Sequence, residues 1–342
     1  MKSNVIRLTS AVVIPIFLII IFPSHAGETF KRIKKRGHVR CGVSAGLPGF
    51  SVPDSKGKWK GIDVDVCRAF AAALFGDARK IKVSGLSAQQ RFTALQSGEI
   101  DVLTRNTTYT LSRDTSVGLN FAPVNYYDGQ GFMVKKSSGV KSAKKLKGAS
   151  VCIHQGTTTE RNVADFFRRH SMKFKPIVME SDEEVFKAFV AGRCDTYTTD
   201  VSGLAARRTT LKKPNDFIIL PEIISKEPLA PAVRHGDDEW FDLVKWSVFA
   251  MISAEELGIT SRNVDKMKKS PDPNIRRLLG VIKGNGKALG VSESWAYNII
   301  KLVGNYGESF ERNVGEKSPL RLKRGLNALW TKGGLMYAPP VK

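Results

Sequence analysis

Two stretches, LQSGEIDVLTRN (95–106) and FVAGRCDTYTTD (189–200), follow one plan: the last turn of a helix, a glycine that ends it, an acid and a short strand. Glycine readily takes the left-handed conformation that closes a helix, and the β-branched residues after it favour an extended chain. Outward from the first stretch, HVRCGV (38–43) and IKVSGL (81–86) read as strands and CRAFAAALFG (67–76) and QQRFTALQSG (89–98) as helices. EIDVLTRN (99–106) is the next strand. The cadence then restarts. KKLKGASVCIHQG (144–156) carries a strand, TTTERNVADFFRRH (157–170) a helix, FKPIVME (174–180) a strand, SDEEVFKAFVAGR (181–193) a helix and CDTYTTD (194–200) a strand. Such alternation puts helices on the faces of a mainly parallel sheet, and its restart predicts two α/β lobes. Open sheets of this kind bind ligands beyond the carboxyl ends of their strands. Asn106 and Asp200, the last residues of the two stretches, are therefore expected at the mouths of their lobes, facing one another.

Beyond the lobes, GDDEWFDLVKWSVFAMISAEELG (236–258) predicts a long amphipathic helix with acids in its first turn. Three more helical segments are expected in NIRRLLGV (274–281), SWAYNIIKLVGNYGESFERN (294–313) and RLKRGLNALW (321–330). At the other end, MKSNVIR precedes an apolar stretch from Leu8 to Phe22 and then Pro23, Ser24, His25 and Ala26. That is the layout of an export leader cut after Ala26. The stretch is short for a membrane span and is interrupted by Pro15.

Export bears on Cys41, Cys67, Cys152 and Cys194, because an oxidising compartment favours disulfides and four cysteines allow three connectivities. Strand adjacency predicts a Cys152–Cys194 bridge in the second lobe, which leaves Cys41 and Cys67 to pair in the first. No C-x-x-C pair is present, which argues against zinc or thioredoxin chemistry. The formal charge of +22 raises nucleic-acid binding as a question. The basic groups KRIKKR (31–36), KSAKKLK (141–147) and RRH (168–170) are scattered and accompany no nucleic-acid motif, so they read as solvated surface.

GVSAG (42–46) fits the G-x-S-x-G pattern of a hydrolase nucleophile elbow. The elbow requires a helix directly after the serine. The chain continues instead with GLPGFSVPDSKGKWKG (46–61), four glycines and two prolines in sixteen residues, which makes turns. His38, His154, His170 and His235 lack triad or metal spacing. No catalytic residue, metal or cofactor is expected.

GFSVPDSKGKWKGIDVDV (49–66), LQSGEIDVLTRNTTYTLSRD (95–114), NFAPVNYYDGQGFMV (120–134), LKGASVCIHQGTTTE (146–160) and AGRCDTYTTD (191–200) resemble, in order, motifs of the solute-binding proteins of polar amino-acid ABC transporters. WFDLVKWSVFAMISAEELGI (240–259), WAYNII (295–300) and GLNALWTKGGLMYAPP (325–340) are similar to the broad-specificity general L-amino-acid branch. The resemblance implies that Arg113 binds the ligand's carboxylate, where a planar fork suits bidentate recognition. It implies that Thr158, with Thr157 and Thr159 beside it, completes that site at a helix N-terminus, and that Asp200 accepts from the ammonium. Asn106 and Thr108 would add polar groups at the strand end. Near Ser44 and Leu47 the acid and the aromatic of the cationic amino-acid relatives are absent, so a permissive pocket of Ser44, Leu47, Phe50 and Arg91 is expected.

The fold implied is the two-lobe type II periplasmic-binding-protein fold, with mixed, mainly parallel sheets flanked by helices. Lobe I would comprise 27–132 plus 232–342, with a helical extension from about 262, and lobe II 133–231. The chain would cross between lobes near Phe132 to Lys136 and Pro228 to Val233. The implied function is that of a monomeric periplasmic receptor that closes on an L-amino acid and delivers it to the permease subunits of an ABC transporter. The alternative is an enzyme on the same scaffold, such as a cyclic amino-acid dehydratase, for which Glu160 is the nearest unassigned acid.

Overall fold

The computed structural model describes residues 27–342, so the leader and its expected cut lie outside the described residues. Two five-stranded sheets organise the chain. The first has the order Ile81–Leu86, Val39–Ser44, Val102–Leu103, Ala232–Arg234, Leu119–Phe121, and the second Lys175–Met179, Ser150–His154, Thr196–Asp200, Gln130–Lys135, Phe217–Ile219. In each sheet four strands point one way and one is reversed: Ala232–Arg234 in the first, Gln130–Lys135 in the second. Each reversed strand is the one that arrives from the other sheet. The strand–helix cadence read from sequence produced the parallel part, and the chain's two crossings produced the rest.

The crossings are themselves short strands, Tyr126–Asp128 and Glu227–Leu229, paired antiparallel. The first falls earlier than the expected Phe132 to Lys136, because Phe132 and Val134 are already core residues of the second sheet. The Asp128-Gly129 step, which separates the crossing strand from the sheet strand, is where the boundary could have been read.

Helices cover both sheets. Ile62–Phe75 ends at Gly76, whose φ of 66° suits the left-handed region and whose N–H donates to Ala72 O. The long helix Asp238–Glu256 is capped by Asp237, which accepts from Trp240 N–H at 3.0 Å while its other oxygen takes the amides of Thr29 and Phe30. That second contact anchors helix Glu28–Arg36, which the sequence reading missed. Its basic run points outward while Phe30 and Ile33 are buried.

The C-terminal region departs from expectation twice. The 294–313 segment is two helices, Trp295–Leu302 and Tyr306–Asn313, because Asn305 and Glu308 exchange side-chain and backbone hydrogen bonds and start a new helix there. RLKRGLNALW is not helical beyond a single turn at Gly325–Asn327 and the start of another at Trp330–Lys332. Asn327 instead clamps a crossing strand, accepting from Tyr127 N–H at 2.7 Å and donating to Tyr127 O at 3.0 Å. Tyr306 Oη donates to Asn125 O at 2.9 Å beside it. The extension thus packs on the crossing, and no local pattern announced that. Cys41–Cys67 and Cys152–Cys194 are both bonded, as strand adjacency suggested.

Candidate functional site

The two sheets present their strand ends to a shared cavity. From the first sheet's side it is lined by Ser44, Leu47, Arg91, Arg105, Asn106, Thr108 and Arg113. From the second it is lined by His154, Thr157, Thr158, Thr159, Asp182, Tyr197, Thr199, Asp200 and Gly203. Ten of the eleven residues singled out from sequence meet there, among them Asn106 and Asp200 from the two matching stretches. Phe50 does not. It is buried in the core, its ring edge-on to Tyr126 at 5.4 Å, because the turn at 46–51 carries it inward.

Arg113 lies just after a cap at Thr110, whose hydroxyl accepts its N–H. Its Nη1 donates to Thr108 O at 2.8 Å, and its guanidinium lies 5.3 Å from the Phe92 ring centre. Arg91 flanks the same ring at 4.6 Å and reaches Thr107 Oγ1 and Gly156 O weakly, at 3.4 and 3.3 Å, with its buried Nε unpartnered. Burial pushes Arg113 down to about 10 and Arg91 well below the ordinary guanidinium value. Among the described residues none of Arg91, Arg105 and Arg113 pairs with a carboxylate. Three clustered, buried, unpaired cations are costly and make the cavity attractive to an anion.

The acid opposite is equally unspent. Asp200 precedes helix Val201–Thr209, yet its side chain makes no capping bond and has no protein donor among the described residues. Burial, with Asp128 and Glu227 close by, pushes its carboxyl well above the usual range, against the pull of Arg113 and Arg91. A cation placed beside it would reverse that shift. Asn106, whose N–H donates to Asp63 Oδ2 at 3.1 Å, leaves its buried Oδ1 without a donor, a second acceptor for the same cation.

Helix Thr158–Arg169 begins at the cavity without a side-chain cap, since the hydroxyl of Thr157 donates to His154 O at 2.7 Å. Its first amides are left for an anion. The hydroxyl protons of Thr108 and Thr158 are not available to a ligand, however. Both go to Glu227, which also takes Asn162 Nδ2 at 2.6 Å and Ser225 Oγ at 2.7 Å. Glu227, 1 % exposed on a crossing strand, was missed from sequence because all its partners but Ser225 lie far away in the chain.

Arg105 and His154 also escaped the sequence reading, although Arg105 sits inside the quoted TRN. His154 comes close to Ser44 and Asp182, which reopens the question of a serine triad. A triad needs one imidazole nitrogen on the serine and the other on the acid. Here Nε2 contacts Glu180 O at 2.9 Å and Nδ1 faces Asp182 at 3.9 Å, so neither is left for Ser44. Asp182 is held by Arg207 and by Tyr197 Oη at 2.8 Å. Glu160 is exposed and outside the cavity. Among the described residues no His, Cys, Asp and Glu cluster could hold a metal, and no helix is long and apolar enough to cross a membrane.

The arrangement can hold a small zwitterion, anion toward Arg113 and the helix N-terminus, cation toward Asp200. Residues 39–262 match the family model described as bacterial extracellular solute-binding proteins, family 3. The chain is 58% identical over 319 residues to the general L-amino acid-binding periplasmic protein AapJ of Rhizobium johnstonii, covering 93% of this chain and 94% of that one. It is 53% identical over 318 residues to the glutamate/glutamine/aspartate/asparagine-binding protein BztA of Rhodobacter capsulatus, with 93% and 94% covered. A solved structure of an ABC transporter periplasmic binding protein from Brucella ovis, with glutathione bound, superposes with a TM-score of 0.91 at 55% identity, covering 93% of this chain and all of that one.

Proposed function

Because the chain belongs to family 3 of the bacterial extracellular solute-binding proteins, with the two-lobe type II fold, we propose that it is the periplasmic receptor that closes on an L-amino acid and hands it to the permease of an ABC transporter. The observation that carries this reading is the unspent Asp200 carboxylate across one cavity from the unpaired Arg113 fork. Those two groups match the ammonium and carboxylate that every amino acid carries on one carbon, and charge-assisted bonds to both orient it. Asn106 and the amides at Thr158 and Thr159 complete the two poles.

The lobes divide at the paired crossing strands, so lobe II runs from Gly129 to about Lys226 and the hinge lies in 126–128 and 227–229. Binding is expected without turnover, since the acid that lies opposite Arg113, Asp200, is assigned to the ammonium and Glu160 lies outside the cavity. The receptor acts as a monomer, exported with its leader cut after Ala26.

A second reading is a peptide with a free α-amino and α-carboxyl group at a γ-linked glutamyl end, the chemistry of glutathione. A wider cavity continuing from the first favours it. Calorimetry with the twenty amino acids and glutathione, with mass analysis of the recovered ligand, tests both. Saturable binding with the ligand unchanged is expected. No heat with any of them would remove the receptor reading, and a converted ligand would replace it with an enzyme.

A further inference from the structure

Ser44, Arg105, His154 and Asp182 line two cavities at once. Arg113, Thr108, Thr158 and Asp200 line only the inner one. On the same measure the inner cavity offers about 40 Å³ and the outer about 410 Å³. A ligand whose α-carbon groups are held at the inner end therefore directs its side chain past the four shared residues.

Of these four, Arg105 has unspent donors. It is 5 % exposed, its Nε donates to Leu86 O at 2.9 Å, and its two terminal nitrogens have no protein acceptor among the described residues. Two of the acids nearest it, Asp182 and Asp63, are engaged elsewhere. Asp182 is held by Arg207 and Tyr197, and Asp63 accepts from Asn106 N–H. Asp200 faces the ammonium position. Burial lowers Arg105 from the ordinary guanidinium value, with Asp182, Asp63 and Asp200 offsetting only part of it. A buried fork of this kind is stabilised by a planar anion more than by any neutral group.

We propose that Arg105 reads the terminus of the ligand's side chain, so that dicarboxylic amino acids are the preferred ligands, their second carboxylate meeting its terminal nitrogens where the two cavities join. The proposal rests on the amino-acid reading above and sharpens it from a general pocket to an acidic preference. Arg113 holds what all amino acids share, and Arg105 what distinguishes them. Neutral side chains still enter, because the outer cavity gives them room, but they leave the fork unmet.

The test is a calorimetric titration of L-glutamate, L-glutamine and L-leucine into the wild type, Arg105→Gln and Arg105→Lys. The wild type should bind glutamate tightest. Arg105→Gln should weaken glutamate at least tenfold and leucine less than threefold, and Arg105→Lys should fall between, since a point charge replaces the fork. The glutamate-to-leucine ratio is the readout, because a merely structural role would lower both together. If thermal melting shows that Arg105→Gln does not fold, Arg105→Lys decides, with a drop of threefold or more in the ratio expected. An unchanged ratio in a folded variant overturns the proposal while leaving the receptor reading intact. A wild type that binds leucine as tightly as glutamate overturns it too, and one that binds no amino acid ends both.

Discussion

The two walls of the cavity are built from matching strand ends but carry opposite chemistry. The first sheet contributes Arg91, Arg105 and Arg113, three guanidinium groups without a carboxylate partner. The second contributes threonines, a bare helix N-terminus and Asp200. Neither wall alone suits an amino acid: the first would bind any anion and the second any small polar group. A zwitterion satisfies both only when they face each other, so ligand recognition and lobe closure become one event. Hinge closure around a ligand is the general behaviour of periplasmic binding proteins, and a differential contact with the closed state is what drives it.

The largest effects that break this comparison act within each lobe. The bridges Cys41–Cys67 and Cys152–Cys194 close loops with sequence separations of 26 and 42 residues. Chain entropy values such loops at roughly 3.5 to 4 kcal/mol each. Cys41→Ser with Cys67→Ser, and separately Cys152→Ser with Cys194→Ser, should each lower the melting temperature markedly and by similar amounts. Mass mapping of the native protein should show only these two pairings. A bridge between lobes would contradict the account, since it would hold the walls apart or together regardless of ligand.

Next come the two poles. Asp200→Asn should cost roughly 1.5 to 3 kcal/mol of affinity for every amino acid, with little change in melting temperature. Arg113→Ala should weaken acidic, neutral and basic ligands by similar factors of more than about tenfold. A loss confined to glutamate would reassign Arg113 to the side chain. The Asp200 pole also titrates. Burial, and then Asp128 and Glu227, raise its carboxyl, whereas a bound ammonium requires it ionised. Binding should therefore release protons, and affinity should fall as pH is lowered through the raised titration range of Asp200. Calorimetry in buffers of different ionisation heat reads that release directly, and proton uptake would reverse the assignment. Asp200→Asn should abolish the pH dependence.

Much of this was legible in the sequence because it is local. The twin stretches ending in Asn106 and Asp200 located the two sheets, and Thr157, Thr158 and Thr159 lie where a strand hands over to a helix. What sequence reading missed depends on distant contacts. Phe50 and Leu47 stand three residues apart in one turn, and only packing against chain-distant residues such as Tyr126 places Phe50 in the core. Helix Glu28–Arg36 was hidden by its charge, because two buried side chains, Phe30 and Ile33, carry its inner face. Glu227 gave no signal at all: apart from Ser225 its partners are Thr108, Thr158 and Asn162, 119, 69 and 65 residues away.

Glu227 supplies the smallest of the expected effects and the most direct test of how the walls are coupled. Its strand is one of the two crossings, and its carboxylate accepts from Thr108 on the first wall and from Thr158 and Asn162 on the second. A carboxylate can accept on all sides, whereas an amide presents donors on one of them. In Glu227→Gln, either the Thr108 and Thr158 pair or the Asn162 and Ser225 pair meets an NH₂ group. Hydroxyls can rotate to accept from it, so the expected loss is only about 1 kcal/mol. Because that loss falls on contacts that need both walls together, it should shift the lobes toward the open form. Affinity should then drop about fivefold for glutamate and leucine alike, with their ratio unchanged. Small-angle scattering of the ligand-free variant should report an equal or larger radius than the wild type. A change in the ratio would mean that Glu227 touches the ligand's side-chain site, and unchanged affinity for both would mean that the walls close without it.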